Sequence, residues 1–153
     1  MLRALALAAS LTMISPTLAS AQSLKGVWLG VAQLTIGGPN DGQLVEFNAT
    51  RYLIYTDAFF NYTFVPEGEQ PTGDLTDAQI VQRATTYVSV GGTYMRDGTR
   101  IVYNRRVTLN PNTMLPENQP QIREIRTLTA NRLVTQATNA NGVTTLLIYD
   151  RLE

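Results

Sequence analysis

The chain has 153 residues, with 12 basic and 12 acidic side chains and neither histidine nor cysteine. The missing residue types exclude Ser-His-Asp and Cys-His catalysis, disulfide bonds, and the usual ligands of zinc and copper, so we predict no metal site and no cofactor. The balanced charge gives no electrostatic reason to expect nucleic acid or an anionic membrane surface as a partner.

The first residues have the pattern of a secretory signal peptide. Arg3 gives a positive start, an apolar run covers residues 4–13, and Ala19-Ser20-Ala21 supplies the small residues that signal peptidase reads. The run is shorter than the roughly 20 residues of a retained membrane helix, and no later stretch is predicted to span a membrane. We expect residues 1–21 to be cleaved, which leaves residues 22–153 as one periplasmic or secreted domain with net charge −1.

The mature chain is predicted to form mainly short strands. Runs rich in valine, isoleucine, threonine, tyrosine and phenylalanine are separated by turn residues, and Asp97-Gly98 and Asn141-Gly142 are dipeptides preferred in tight hairpins. The pattern predicts strands at 25–36, 43–48, 50–56, 58–65, 87–95, 99–109, 121–129, 132–138 and 143–151. Many short strands with frequent turns indicate a sandwich or a barrel.

One segment has the pattern of a helix. Thr76 stands three residues before Gln79, which is the spacing of a capping box, and we predict one short helix over 77–85. An exposed loop rich in proline and glycine is expected in front of this helix, at 66–73, and a second loop with three prolines is expected at 110–120.

The single tryptophan, Trp28, lies on the first predicted strand, and Arg151 is the only basic residue of the last. In a closed antiparallel barrel these two strands are neighbours. The guanidinium of Arg151 can then stack on the indole and bind nearby backbone carbonyls, closing one end of the barrel. Gly26 lets the first strand start without crowding the ring. We assign Gly26, Trp28 and Arg151 to structure.

This pair resembles the Gly-x-Trp and terminal arginine of the lipocalins and their calycin relatives. A closer similarity is to the small bacterial lipocalin-like domain proteins, which have four short motifs in a fixed order. The matching segments are Leu24-Lys25-Gly26-Val27-Trp28, Arg51-Tyr52-Leu53-Ile54-Tyr55-Thr56, Gly92-Thr93-Tyr94 and Tyr149-Asp150-Arg151. The resemblance implies a small antiparallel β-barrel of about eight or nine strands that holds a ligand, with one short helix. It implies no reaction.

The sequence departs from that family at three places. Arg51 and Asp57-Ala58 stand where the family tends to have glycine, and Tyr103-Asn104-Arg105 stands where it tends to have histidine. A function that depends on that histidine is therefore not implied here.

Two groups of residues are candidate ligand contacts. On the strand from Thr99 to Leu109, Ile101, Tyr103, Val107 and Leu109 share a face with Arg105 in its middle. Arg105 either anchors a ligand carboxylate or phosphate, with Tyr103 beside it, or forms an internal ion pair, for which Glu124 is the candidate partner. Phe60, Tyr62 and Phe64 share another face, next to Tyr52 and Ile54, and line either an apolar cavity or a packed core.

Three functions fit these patterns. The first is binding of a small hydrophobic or amphipathic molecule inside the barrel, with contacts from Arg105, Tyr103, Tyr52, Tyr62, Tyr94 and Phe60. The second is cyclase or isomerase chemistry through tyrosine, arginine and a glutamate, with Glu124 or Glu46 as proton acceptor. The third is a structural or interaction module with a filled core. We assign no catalytic residue, and the sequence does not predict an oligomeric state.

Overall fold

The computed structural model describes residues 22–65, 73–109, 114–115 and 120–153, the side chains of 83–85 excepted. The predicted signal peptide, residues 1–21, and most of the two predicted loops lie outside these ranges. None of the helices within them has the length and apolar character needed to cross a membrane.

The described residues form nine strands, one α-helix and one short 3₁₀ turn. The strands are β1 (Gly26–Ile36), β2 (Leu44–Glu46), β3 (Thr50–Tyr55), β4 (Phe59–Val65), β5 (Val88–Asp97), β6 (Arg100–Thr108), β7 (Gln121–Leu128), β8 (Arg132–Thr138) and β9 (Thr144–Arg151). The helix is α1 (Asp77–Thr86), and the 3₁₀ turn covers Gly38–Asn40. All nine predicted strands and the predicted helix are confirmed, with small differences at their ends.

The strands form a closed antiparallel barrel. Each strand from β3 to β8 pairs with the next one along the chain, and β1 closes the ring by pairing with both β3 and β9. Eight strands make up the barrel, and β2 is an extra strand on the later part of β1. The predicted small antiparallel barrel, with its first and last strands side by side, is confirmed.

The helix begins at the predicted capping box. The backbone nitrogen of Thr76 donates to Oε1 of Gln79 at 2.9 Å, and the backbone nitrogen of Gln79 donates to Oγ1 of Thr76 at 3.4 Å. These reciprocal bonds satisfy donors that the first helical turn would leave unpaired. The helix joins β4 to β5 at the same end of the barrel as the β8–β9 turn.

A β-bulge on β6 reverses its inside-outside alternation. Gly92 of β5 pairs with Arg105, whereas Gly91 pairs with Val107, so Arg106 is the extra residue. Beyond the bulge the side chain of Val107 is 70% exposed and that of Leu109 is 57% exposed. The prediction that Val107 and Leu109 face the interior with Arg105 is therefore wrong, because a bulge inserts one residue into the alternation.

Candidate functional site

The end of the barrel near Leu24 and Glu153 is closed by Trp28 and Arg151. Trp28 is fully buried, and its indole nitrogen donates to the carbonyl of Leu24 at 2.7 Å. The guanidinium carbon of Arg151 lies 4.1 Å from the centre of the indole ring. The same guanidinium donates to the carbonyls of Lys25 at 2.7 Å and Ser23 at 2.9 Å. The arginine thus covers the buried ring and holds the segment that leads into β1.

Gly26 provides the space for this arrangement. Its φ angle is +137°, a region that favours glycine, and a Cβ atom there would overlap both the Glu153 carbonyl oxygen and Nη1 of Arg151. The sequence analysis predicts that Gly26 is needed because a side chain there would crowd the indole ring of Trp28. In the structure, a side chain at this position would instead overlap Arg151 and Glu153.

A layer of buried aromatic residues lies above the closed end. Tyr55 and Tyr103 are hydrogen-bonded through their hydroxyl groups, and Phe60 packs edge-on against Tyr103 with ring centres 4.7 Å apart. Tyr94 packs edge-on against Tyr55 with ring centres 4.8 Å apart. Burial raises the pKa of Tyr103 to about 12 and also raises the pKa values of Tyr55 and Tyr149. These hydroxyls are therefore neutral hydrogen-bonding groups at physiological pH.

Above this layer the barrel contains an open cavity of about 760 Å³. Its wall combines aliphatic and aromatic side chains with a smaller number of polar ones. The lining residues include Leu53, Phe60, Tyr62, Val88, Val90, Leu147, Tyr103, Tyr149, Gln121, Arg51, Arg105 and Arg123. The wall therefore presents apolar and polar surface in similar amounts, and a volume of several hundred Å³ is in the range of small-molecule sites.

Two arginines on neighbouring strands face this cavity. Arg105 of β6 is partly buried, and its Nη2 donates to Oε1 of Gln121. Burial lowers the pKa of Arg105, and the nearby positive charge of Arg123 lowers it further. Nη1 of Arg123 is buried and has no hydrogen-bond partner within the described ranges. The cavity wall therefore brings together two cations that repel each other.

A third arginine, Arg51, lines the cavity from β3. Its guanidinium carbon lies 3.6 Å from the ring centre of Phe47 and 4.6 Å from that of Phe64. Aromatic faces attract a cation, and each such contact contributes on the order of 1 kcal/mol. Arg51 is thereby held against the wall by stacking.

The structure places four of the six predicted ligand contacts at the cavity: Arg105, Tyr103, Tyr62 and Phe60. Tyr52 is wrongly predicted, since its side chain is 38% exposed on the outer face while Leu53 and Tyr55 of the same strand face inward. The prediction that Tyr94 contacts a ligand is also wrong. Its hydroxyl donates to the carbonyl of Thr56 at 2.8 Å, beside Tyr55 and away from the cavity. It belongs to the closed end of the barrel.

Neither glutamate that was considered as a proton acceptor reaches the cavity. Glu124 is exposed on the outer face, 3.9 Å from Nη1 of Arg126, and it is not the internal partner of Arg105. Glu46 is exposed on the extra strand β2. Among the described residues that line the cavity there is no aspartate or glutamate. The enclosed glutamate that would favour cyclase or isomerase chemistry is thus missing from the described wall.

Sequence reasoning missed Arg123 as a cavity residue. Arg123 and the buried Ile125 are two residues apart on β7 and therefore share a face. Arg123 alternates with an inward apolar residue as Arg105 does, so the signal was present in the sequence. Gln121, on the same face, was missed for the same reason.

Comparison with known proteins identifies the fold. No family model matches the sequence, and no curated protein matches it. The structure is similar to that of an uncharacterized protein from Bacteroides eggerthii, with a TM-score of 0.51 and 10% identity over 84% of this chain and 99% of that one. It is also similar to a lipocalin-like protein from Bacteroides uniformis, with a TM-score of 0.50 and 12% identity over 84% of this chain and 98% of that one. The fold is that of a bacterial lipocalin-like barrel.

Proposed function

We propose that this protein is exported and binds a small, partly apolar molecule inside its barrel. The observation that carries the proposal is the 760 Å³ cavity, because a barrel of this size can also fill its interior with side chains. A filled core, as in the structural-module hypothesis, would leave no such volume.

The composition of the wall supports a bound molecule. Leu53, Phe60, Val90 and Leu147 offer apolar surface, while Tyr62 and the arginines offer polar groups that fix orientation. Burial of apolar ligand surface against such side chains contributes about 25 cal/mol per Å² removed from water. The wall thus suits a molecule with an extended apolar part.

Export rests on the pattern of residues 1–21, and its test is separate from that of binding. The full chain would be expressed in a bacterium, the periplasm and medium collected, and the mature amino terminus determined by mass spectrometry. A chain beginning at Gln22 in those fractions is expected. An uncleaved chain that stays in the cytoplasm would contradict export.

Binding is tested with a cavity-filling variant. Val88→Trp places a large side chain at the cavity wall, whereas Met95→Trp places it on the outer face of the same strand, where Met95 is 62% exposed. Native mass spectrometry of the protein purified from its own host is expected to detect a small molecule in the wild type and in Met95→Trp but not in Val88→Trp. Absence of any bound molecule, together with no binding of apolar fluorescent probes, would contradict the proposal.

A further inference from the structure

The strand β9 is apolar on both of its faces. Leu147 and Tyr149 are buried and line the cavity. Leu146 and Ile148 alternate with them and therefore point outward, and Leu34 of β1 is the register partner of Leu146. A strand with one face in water usually alternates apolar and polar residues, whereas a strand covered on both faces does not. The sequence of β9 therefore indicates that its outer face is covered.

No described element provides this cover. Four apolar side chains of the outer face are partly exposed: Leu34, Val134, Leu146 and Ile148. Leu44 of β2, the register partner of Leu34, is 56% exposed. Extensive contacts between described elements join only strands that are neighbours in the sheet, so neither the helix nor a second sheet packs substantially on β9 from outside. Within the described ranges the area is open to another molecule.

Opposite charges lie on the two sides of this apolar area. Glu46 is exposed on β2, and Arg126 is exposed on β7. The two strands are each two strands away from β9, with β1 between on one side and β8 on the other. One row of register partners runs from Glu46 through Ala32, Ile148 and Val134 to Thr127, which follows Arg126. The two charges therefore lie at the same height and at equal distances from Ile148, counted in strands.

Both charged groups can accept a further partner. Among the described residues Glu46 forms no ion pair. Nε of Arg126 donates to Oε1 of Gln136 at 2.6 Å, so the guanidinium extends towards β8, and its Nη1 lies 3.9 Å from Glu124. This long distance between exposed groups makes a weak ion pair.

We propose that the protein forms a symmetric dimer through the outer face of β9, with the two-fold axis along this strand. The rotation places β2 of one copy over β7 of the other. Leu146 and Ile148 then pack against the same residues of the second copy, and Glu46 pairs with Arg126 of the other copy on both sides. A two-fold interface requires a self-complementary surface, and this row, with opposite charges at its two ends, is self-complementary.

The position of the axis follows from the charges. An axis along β1 would place Glu46 of one copy against Ile148 of the other, and a carboxylate covered by an apolar side chain is unfavourable. The axis along β9 avoids this contact. The dimer uses the outer face only, so it is independent of the proposed binding inside the barrel.

The oligomeric state of the purified protein tests the interface. Sedimentation velocity over a series of concentrations is expected to show a dimer for the wild type. Ile148→Glu places two like charges side by side at the axis and should give a monomer. Val102→Glu is the matched control, because Val102 is partly exposed on the outer face of β6, three strands from β9, and this variant should remain dimeric. Circular dichroism checks that both variants are folded.

Charge reversal tests the arrangement of the two copies. Glu46→Arg and Arg126→Glu should each raise the dissociation constant of the dimer about tenfold, since symmetry repeats the altered pair twice. The double variant should associate as the wild type does, because the two opposite charges are exchanged. A double variant as weak as the single variants would overturn the axis along β9.

The remaining outcomes also decide the proposal. A wild type that is monomeric at every concentration would overturn it, and so would a dimer that Ile148→Glu leaves intact. Monomers that bind phosphatidylcholine vesicles, with binding lost in Ile148→Glu, would overturn it in favour of a lipid surface as the cover of β9. If Ile148→Glu does not fold, the charge reversals decide, since both of those positions are exposed.

Discussion

Trp28 and Arg151 face each other across the pair of strands that closes the barrel. The two residues are register partners on β1 and β9, and the guanidinium carbon lies 4.1 Å from the centre of the indole ring. Two further bonds from the guanidinium reach the carbonyls of Ser23 and Lys25, in the segment before β1. One side chain therefore connects the last strand, the only tryptophan and the start of the barrel.

Replacing Arg151 by alanine should destabilise the barrel without weakening ligand binding. The variant loses the cation–π contact and the charge-assisted hydrogen bonds, and we expect the free energy of unfolding to fall by about 2–3 kcal/mol. Chemical denaturation measures this loss, and probe titration should give an unchanged affinity, since the cavity lies beyond the buried tyrosine layer.

Arg132→Ala is the control for this variant. Arg132 lies on the adjacent strand β8 and pairs with Asp150 at 2.9 Å on the exposed surface. An exposed ion pair is screened by water and contributes little to stability, so Arg132→Ala should change stability little. Weakened binding by Arg151→Ala at unaltered stability would contradict its assignment to structure.

Gly26→Ala is expected to be destabilising by about 2 kcal/mol or more, because alanine combines an unfavourable φ with an overlap against Arg151 and Glu153. Gly42→Ala separates these two effects. Gly42 also has a positive φ, +74°, but a Cβ there meets no atom within 4 Å. Equal losses in the two variants, measured by chemical denaturation, would show that the overlap at Gly26 contributes nothing.

Most of the fold could be predicted because its signals are local. Turn dipeptides such as Asn141-Gly142 limit the strands, and the capping box at Thr76 and Gln79 fixes the start of the helix. Closure of the barrel is not a local property. Closure was predicted from the resemblance at Trp28 and Arg151, which implies that the first and last strands are neighbours.

The site was predicted less well because it depends on which face of each strand points inward. Tyr52 was assigned inward with Ile54, whereas the neighbouring residues Leu53 and Tyr55 form the inner face. On β6 the alternation was correct as far as Arg105 and failed after the bulge. A bulge arises from pairing with another strand, and the sequence of β6 alone does not contain it.

Adjacent glycines on β5 provide a test of this bulge. A Cβ atom on Gly92 would overlap the carbonyl oxygen of Asn104, whereas a Cβ on Gly91 would have its nearest contact at an ordinary 3.5 Å. Gly92→Ala should therefore lower the free energy of unfolding by about 2 kcal/mol or more, and Gly91→Ala should be tolerated. Thermal unfolding of the two variants measures the difference. Similar melting temperatures would mean that the backbone of β6 moves away at little cost.

The buried tyrosines predict a loss of stability in alkaline solution. Burial raises the pKa of Tyr103 to about 12 and raises those of Tyr55 and Tyr149, whereas an unfolded tyrosine has a pKa of about 10. Between these values the unfolded chain releases protons that the folded chain retains, so the unfolded state binds fewer protons and stability falls as pH rises. The stabilisation is complete below about pH 10 and is lost as pH rises through the folded-state pKa. Each such tyrosine contributes a slope of about 1.4 kcal/mol per pH unit.

Tyr103→Phe should make this decline shallower, because it removes one of the three titrating hydroxyls. Melting temperatures measured by circular dichroism from about pH 9 to pH 12 give the slopes, and comparing slopes cancels the loss of the Tyr55 hydrogen bond. Tyr52→Phe, which removes a hydroxyl from the outer face, is the control for the loss of a tyrosine hydroxyl outside the buried layer. If Tyr103→Phe retained the full alkaline slope, ionisation of the buried hydroxyl layer would not be what limits stability at high pH. In that case the tyrosines above the Trp28–Arg151 closure would act only through packing.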